Sequence, residues 1–262
     1  MWFPIQYISY FVRETVMHAT TSIEGRYPTL CREMLAPASF RHPASDPPLC
    51  LSGASEGADE LFGCAALSAG HVVAHIMGPR NVPSALCAST QGDALYHVSD
   101  ELLHSSCISA ALQKAQVERA GVASHMTGAI EESRRNYLQV ICADACICVA
   151  YRHQASKDVL SKLDIGGGTG WAAQWYADRF QPSGAEDPSG CQLYLWDDGN
   201  PSAPGCLIDP ATHRRWNRWV DNRWVPLADG EAPDLRRFRV YAGIGATRLS
   251  QSGVAAIRAL YE

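Results

Sequence analysis

Three short glycine loops, each placed between an apolar run and a stretch with helical spacing, most constrain how this chain can fold. Loop 1 covers residues 52–59 (SGASEGAD), loop 2 covers 166–170 (GGGTG) and loop 3 covers 243–248 (GIGATR). A glycine turn between a strand and a helix lets the backbone approach a ligand closely and directs unpaired helix N–H groups toward it, which suits a phosphate or another anion. One such loop is weak evidence, whereas three in one chain predict a nucleotide-type pocket.

Length and charge limit the classes of protein to consider. A chain of 262 residues can form one large α/β domain or two small ones, and it can bury a sizeable core. Its formal net charge of -5 argues against a broad basic surface that would bind DNA or RNA through phosphates. We therefore expect nucleic acid to be a disfavoured partner.

Cysteine usage and the N-terminal stretch both favour a cytoplasmic protein. The ten cysteines are scattered without a CxxC pair, and Cys142, Cys146 and Cys148 lie in an apolar run where buried free thiols are expected. The apolar N-terminus is followed by Arg13 and Glu14 and has no small-residue cleavage site. It is therefore predicted to be neither a signal peptide nor a membrane span.

Strand-like and helix-like segments alternate along most of the chain. Residues 1–48 are predicted to be a helical and loop extension, with four prolines in 37–48. Strands are then predicted at 49–52, 71–77, 145–150, 191–196 and 239–245, with helices near 60–69, 98–115, 126–139, 172–180 and 254–261. This order predicts an α/β fold with a parallel sheet covered by helices on both faces.

Residues 197–238 differ in composition from the segments around them. They are rich in Pro, Asp and Arg, and Trp216, Trp219 and Trp224 lie in the stretch RRWNRWVDNRW. The segment is interpreted as an irregular appendage or as a hairpin on the sheet edge. Its aromatic and arginine side chains could stack on single-stranded nucleic acid, but a packed hairpin with solvated arginines is the commoner case.

Several of these motifs are similar to those of the SLOG superfamily, a Rossmann-like group that includes the Lonely Guy proteins and the DNA-processing protein DprA. Loop 1 resembles the family's SGgA.GAD loop, and loop 2 resembles its GGT loop. Arg135, Asn136 and the apolar strand with Asp144 are similar to its RN…sD…iA stretch, and Tyr241 with loop 3 looks like its yaGIGsR loop. The resemblance covers roughly 49–196 and 239–262, and it implies a Rossmann-like sheet, a nucleotide-type ligand and a pocket often completed by a second subunit in a homodimer.

The order of these motifs departs from the family, because the unit that normally comes first in the chain lies at the C-terminus. One hypothesis is a permuted order, in which 239–262 supplies the first strand and helix of the same sheet. The strand would then insert between 49–52 and 145–150, and the three loops would converge at the carboxyl ends of the strands. The alternative is that 239–262 begins a second module or pairs with another chain.

The candidate ligand-binding residues come from the loops and from the Arg135 region. Hydroxyl groups of Ser52, Ser55, Thr169 and Thr247 could donate to phosphate oxygens or cap the following helices. Arg135 and Arg248 could neutralise phosphate or form surface ion pairs, and Asp59 could hold a ribose or cap a helix. The full set is Ser52, Gly53, Ala54, Gly57, Asp59, Arg135, Asn136, Gly167, Gly168, Thr169, Gly243, Gly245, Thr247 and Arg248.

No metal site and no cofactor are expected, because the nine histidines show no ligand spacing. The leading functional hypothesis is a pocket for a nucleotide or a nucleotide-derived small molecule, such as a signal, without obligatory turnover. Lonely Guy proteins are nucleotide N-glycosidases, and their motif resembles PGGxGTxxE, but here Ala172 or Ala173 stands where the acid belongs. Glu56 and Asp59 are the candidate catalytic substitutes in that alternative. A second alternative is single-stranded DNA binding like that of DprA.

Overall fold

A computed structural model describes residues 47–77, 95–97, 130–141, 143–152, 163–180, 190–199, 206 and 208–262. Its strands are β1 (Leu49–Ser52), β2 (Val72–Met77), β3 (Leu95–His97), β4 (Ala145–Ala150), β5 (Leu193–Asp197), β6 (Trp216–Val220), β7 (Arg223–Pro226) and β8 (Val240–Gly245). Its α-helices are α1 (Ala58–Ser68), α2 (Ile130–Ile141), α3 (Gly167–Asp178) and α4 (Gln251–Ala259), and a short 3-10 helix covers Leu235–Arg237. The predicted N-terminal extension, apart from its last two residues, and the helix predicted at 98–115 lie outside the described residues.

All eight strands belong to one mixed sheet, in the order β3-β2-β1-β8-β4-β5-β6-β7. The six strands from β3 to β5 are parallel, whereas β6 and β7 are antiparallel to their neighbours. The chain therefore has an α/β fold, as predicted. Its sheet is mixed, however, whereas the sequence predicted a parallel sheet. The difference arises because 197–238 adds a hairpin to the sheet.

The position of β8 is central. It pairs in parallel with β1 on one side, where Leu51 is opposite Ala242, and with β4 on the other, where Cys146 is opposite the same residue. At the amino ends of these strands, Asp144 Oδ2 accepts a hydrogen bond from the Val240 N–H at 3.1 Å. The strand thus lies between 49–52 and 145–150, which is the place that the permuted order requires.

Side chains of the central strands alternate between two apolar clusters. On β4, Cys146 and Cys148 pack with residues of α2 and α3, whereas Ile147 and Val149 pack with residues of α1 and α4. This alternation is expected because successive side chains of a strand point to opposite sides of a sheet. Cys146 and Cys148 are buried free thiols, as the sequence predicted, and Cys142 lies outside the described residues. In the part of the chain that the structure describes, no helix is both long enough and apolar enough to cross a bilayer.

The tryptophan-rich stretch forms a packed hairpin and is not irregular. β6 and β7 are joined by Asp221 and Asn222, whose φ angles of 48° and 60° are typical of a two-residue hairpin turn. Trp216, Trp219 and Trp224 are only 4%, 8% and 9% exposed. Because these rings are buried in the sheet, they do not offer free faces on which bases could stack.

We expect the protein to lose stability in mild acid because of a buried histidine on β2. His75 is 1% exposed, and burial lowers its pKa to about 4. In the unfolded chain, the His75 ring is therefore protonated as the pH falls below about 6.5, whereas in the folded chain it is protonated only near pH 4. As the pH falls through this window, we expect the free energy of unfolding to decrease by up to about 3 kcal/mol from this group.

Urea unfolding at several pH values between 4 and 7 measures this effect. His75→Asn is the comparison, since it removes the titrating ring, and its stability should depend less steeply on pH than that of the wild type. Parallel pH profiles for the two proteins would show that His75 is not the group responsible.

Candidate functional site

The three glycine loops lie at the carboxyl edge of three neighbouring strands. Loop 1 follows β1 and loop 3 begins within the last residues of β8, while loop 2 is tied to the end of β4 by a backbone bridge between Arg152 and Ile165. Helix α3 runs back along the sheet, since its Tyr176 hydroxyl donates to the Asp144 carbonyl at the amino end of β4 at 2.6 Å. The N-terminus of α3 is therefore also at the carboxyl edge. We call loops 1, 2 and 3 together the carboxyl-edge site.

Loop 1 is held by hydrogen bonds within itself. The Ser52 hydroxyl donates to the Asp59 carbonyl at 2.7 Å and accepts from the Ala54 N–H at 3.1 Å. Ala54 adopts a left-handed conformation with a φ of 52°, which a residue with a Cβ rarely adopts without support. The buried Ser52 side chain thus stabilises the turn and is not directed to solvent.

Arg135 supports loop 1 from α2. Its side chain is 2% exposed, and Nη1 donates to the Gly53 carbonyl at 3.1 Å and to Ser55 Oγ at 2.8 Å. Nε and Nη2 donate to Asn136 Oδ1, and Nη2 lies 4.0 Å from Asp59 Oδ2. Arg135 was predicted to contact phosphate or to form a surface ion pair; the structure places it beneath the loop, with its donors directed to loop 1 and to its own helix.

Gln139 is a site residue that the sequence analysis missed. It is fully buried, and its Nε2 donates to the carbonyls of Leu51 at 3.0 Å and Gly243 at 2.9 Å. These carbonyls belong to the ends of β1 and β8, so the amide joins the two strands where loops 1 and 3 leave the sheet. The available signal was its spacing, because Gln139 is four residues after Arg135 and hence on the same side of the helix.

Four of the predicted glycines have a packing role. A Cβ at Gly53 would meet Asp59 and Arg135, and one at Gly243 would meet Phe62. A Cβ at Gly57 would meet the Thr247 backbone, and one at Gly245 would meet the Val149 carbonyl. Loops 1 and 3 therefore contact each other closely, and the Ala58 N–H at the start of α1 donates to the Ala246 carbonyl at 3.1 Å.

The N-terminus of α4 is also satisfied from within the protein. Ser250 Oγ accepts from the N–H groups of Ser252 and Gly253, which caps the helix. Asp198, which follows β5, accepts from the Ser250 N–H at 2.7 Å and from Ser252 Oγ at 3.0 Å. This helix start already has an anionic partner, and so it has little capacity for another.

Loop 2 differs from the other two because it is open. Helix α3 begins after Gly166 without a side-chain cap and without an acidic residue in its first turn. Gly167 and Gly168 are exposed, Thr169 is half-buried, and no heavy atom outside the chain neighbours lies within 4 Å of a Cβ placed on Gly167. Helix α1 also begins without a side-chain cap, but its Ala58 N–H donates to the Ala246 carbonyl and its first turn contains Asp59 and Glu60. Among α1, α3 and α4, only α3 therefore has neither a capping partner nor an acidic residue at its start, as far as the described residues show.

The predicted residues therefore divide by exposure. Glu56, Thr247, Arg248, Gly167 and Gly168 are exposed, and Ser55, Gly57, Thr169 and Gly245 are half-buried. Those buried beneath the edge are Ser52, Gly53, Ala54, Asp59, Arg135, Asn136 and Gly243. A ligand at this edge would contact the exposed and half-buried residues, while the buried residues support the loops.

The catalytic candidates do not form an acid/base pair. Asp59 is buried next to Arg135, whereas Glu56 is exposed at the tip of loop 1. On α3, Gln174 is buried and donates to Asp178 Oδ1 at 2.7 Å. Within the described residues, no cluster of three metal-binding side chains is found.

Cys50, near the amino end of β1, is not a nucleophilic site. Burial raises the pKa of Cys50, on β1, to about 12, because the thiolate would be desolvated. The thiolate is the reactive form of cysteine. Cys50 therefore stays protonated and inert at neutral pH.

No protein-family model, no curated protein and no solved structure matches this chain. The resemblance to the SLOG superfamily stays a prediction from the motifs.

Proposed function

We propose that the chain binds a nucleotide or a nucleotide-derived small molecule at the carboxyl-edge site, without obligatory turnover. The observation that carries this proposal is the open, uncapped N-terminus of α3, which lies at the same edge as loops 1 and 3. Such a helix start directs unpaired N–H groups and the positive end of the helix dipole at an anion. We further propose that the sheet is Rossmann-like, with helices covering both faces. Ligands of such sheets bind beyond the carboxyl ends of the strands, which is where the carboxyl-edge site lies.

Within this proposal, the three loops have different tasks. Loop 2 binds the phosphate through its backbone N–H groups and the Thr169 hydroxyl. The exposed Arg248 of loop 3 supplies a positive charge, since a guanidinium fork fits an oxyanion well. Loop 1 and Arg135 form the rigid support against which the rest of the ligand packs.

A negative charge placed in loop 2 should abolish binding. Gly168→Asp adds a carboxylate to the first turn of α3, where it would satisfy the helix N-terminus and repel a phosphate. Gly168→Ala is the matched control, because it adds a Cβ at the same place without charge. Gly168 is chosen over Gly167 because Gly167 has a φ of 64°, which disfavours any side chain.

Thermal unfolding with a panel of nucleotides, including cyclic and ADP-ribose types, is the measurement. A ligand present at 100 times its dissociation constant stabilises the folded state by about 2.7 kcal/mol, which is a readily measured increase in Tm. The wild type and Gly168→Ala should show this increase, and Gly168→Asp should lose it. The proposal fails if no nucleotide raises the Tm of the wild type, or if the Asp variant responds as the Ala variant does.

Binding without turnover has its own test. The wild type is incubated with nucleoside monophosphates, and chromatography is used to look for released base. We expect no sustained release, since α3 carries alanines at 172 and 173 and Asp59 is buried beside Arg135. Sustained release that Glu56→Gln abolishes would favour the N-glycosidase alternative instead.

A further inference from the structure

The stem of loop 2, residues 163–166, is held by a part of the chain that the proposed function does not use. Trp224 of β7 donates its indole N–H to the Leu163 carbonyl at 2.9 Å, and both residues are buried. This bond joins the sheet-edge hairpin to the segment that leads into the open helix start. The hairpin is thereby connected directly to the proposed anion site.

Arg152 makes a second connection to the same stem. Its backbone bridges to Ile165, and its Nη2 donates to Asp164 Oδ2 at 3.2 Å. On its other side, Nη1 donates to Thr212 Oγ1 at 3.0 Å and lies 3.6 Å from Asp209 Oδ2. The guanidinium therefore links the stem to residues 209–212, which precede the hairpin in the chain.

The contacts around Arg152 continue to the end of β5. Thr212 Oγ1 donates onward to Asp197 Oδ2 at 3.0 Å. Asp197 is fully buried, and this burial raises the pKa of its carboxyl group. Thr212 is thus fixed by a partner on each side, which fixes Arg152 in turn.

The stem requires such support because its backbone is strained. Asp164 has a φ of 58°, in the left-handed region, which Asp adopts more readily than most residues but still at a cost in free energy. Such a conformation persists only where its surroundings determine it. Here the Arg152 guanidinium binds the Asp164 carboxylate, and the flanking Leu163 carbonyl is bound by Trp224.

We propose that residues 208–226, together with Arg152, form a clamp that fixes the geometry of loop 2 for anion binding. Trp224 and Arg152 are positioning residues in this clamp, because they touch the stem of the loop and not the ligand. The tryptophan-arginine stretch then has a structural role within the protein, which is consistent with the burial of its tryptophan rings. The effect of the clamp on ligand affinity rests on the proposed function, whereas its effect on loop 2 itself does not.

Hydrogen exchange of the amides in 163–170, followed by mass spectrometry on the full chain, tests the clamp without any ligand. Trp224→Phe removes the indole donor to the Leu163 carbonyl and keeps an aromatic ring. We expect exchange in 163–170 to become about tenfold faster. Trp219→Phe is the matched control, since it shortens the neighbouring ring of the same hairpin but keeps the Trp224 bond. Equal exchange in the two variants would overturn the proposal.

The nucleotide-dependent increase in Tm is the second readout. The increase in Tm should be severalfold smaller for Trp224→Phe than for the wild type, whereas Trp219→Phe should show the wild-type increase. This difference is expected even if the two variants have the same Tm without ligand. Arg152→Lys, which keeps the charge, should retain more of the response than Arg152→Met, which keeps only the volume. If Met and Lys behave alike in both exchange and response, Arg152 fills space and does not position the loop.

The two readouts separate the clamp from the proposed function. Faster exchange in Trp224→Phe, in a chain whose wild type responds to no nucleotide, would support the clamp and contradict nucleotide binding. Unchanged exchange would contradict the clamp, whatever the nucleotides do.

Discussion

A chain that lacks residues 239–262 is expected to lose its cooperative unfolding transition altogether. β8 lies between β1 and β4, and its removal would take away the hydrogen bonds on both sides of the sheet's centre. It would also remove Tyr241 from one apolar cluster and Ala242 and Ile244 from the other. Because folded domains are stable by only about 5–15 kcal/mol, the remainder should not fold.

A single substitution tests the same prediction more selectively. Ala242→Asp places a carboxylate at a fully buried position of β8, where no water can solvate it. We expect a loss of several kcal/mol in the free energy of unfolding, measured by urea denaturation. Val220→Asp is the control, because Val220 is 37% exposed at the end of β6 and should change stability by about 0.5 kcal/mol or less.

The opposite outcome has a clear meaning. If the truncated chain still unfolds cooperatively, and if Ala242→Asp is as mild as Val220→Asp, then 239–262 does not complete this sheet. It would instead belong to a separate module, and loop 3 would not be part of the carboxyl-edge site.

Arg135→Met is the second substitution for which a large effect is expected. It would remove the guanidinium that binds the Gly53 carbonyl, Ser55 and Asn136 and that lies 4.0 Å from Asp59. Removing one partner of a buried charged network typically costs about 3–5 kcal/mol, and we expect a loss of that size in the free energy of unfolding.

Arg248→Met is the matched control for Arg135→Met. Its side chain is exposed in loop 3, so its loss should change stability by about 0.5 kcal/mol or less. Urea unfolding of both variants measures the difference. A loss below about 1 kcal/mol for Arg135→Met would mean that loop 1 does not depend on this arginine.

The central strands were predictable because their sequences carry a local signal. The runs at 49–52 and 145–150 are short and apolar, and each is followed or preceded by turn residues, so β1 and β4 were located closely. The placement of β8 needed one further physical argument. A lone strand and helix cannot bury its own apolar side chains, which favoured insertion into the same sheet.

The hairpin at 216–226 was harder to predict, although a signal was present. Asp221 and Asn222 are both residues that tolerate a positive φ, and they separate two short aromatic runs. The high content of Pro, Asp and Arg around them obscured this pattern. As a result, antiparallel strands were only one of two alternatives for this segment.

The structural roles of the glycines and of Arg135 could not be predicted from the sequence, because they depend on contacts with residues that are far away in the chain. Gly57 contacts Thr247, and Arg135 contacts Gly53, across separations that no local pattern reveals. A glycine required by a neighbouring backbone looks the same in sequence as one required by a ligand. In the structure, loops 1 and 3 pack against protein, whereas loop 2 is open to solvent.

The most direct test of nucleotide binding is amide NMR of the 262-residue chain during titration with nucleotides. The N–H signals of Gly167, Gly168 and Thr169 should shift in a saturable manner with at least one nucleotide. Those of Ser252 and Gly253, at the capped start of α4, should stay in place. If every nucleotide leaves the loop 2 amides unchanged, or shifts only signals elsewhere, then the carboxyl-edge site does not bind nucleotides through the open helix start.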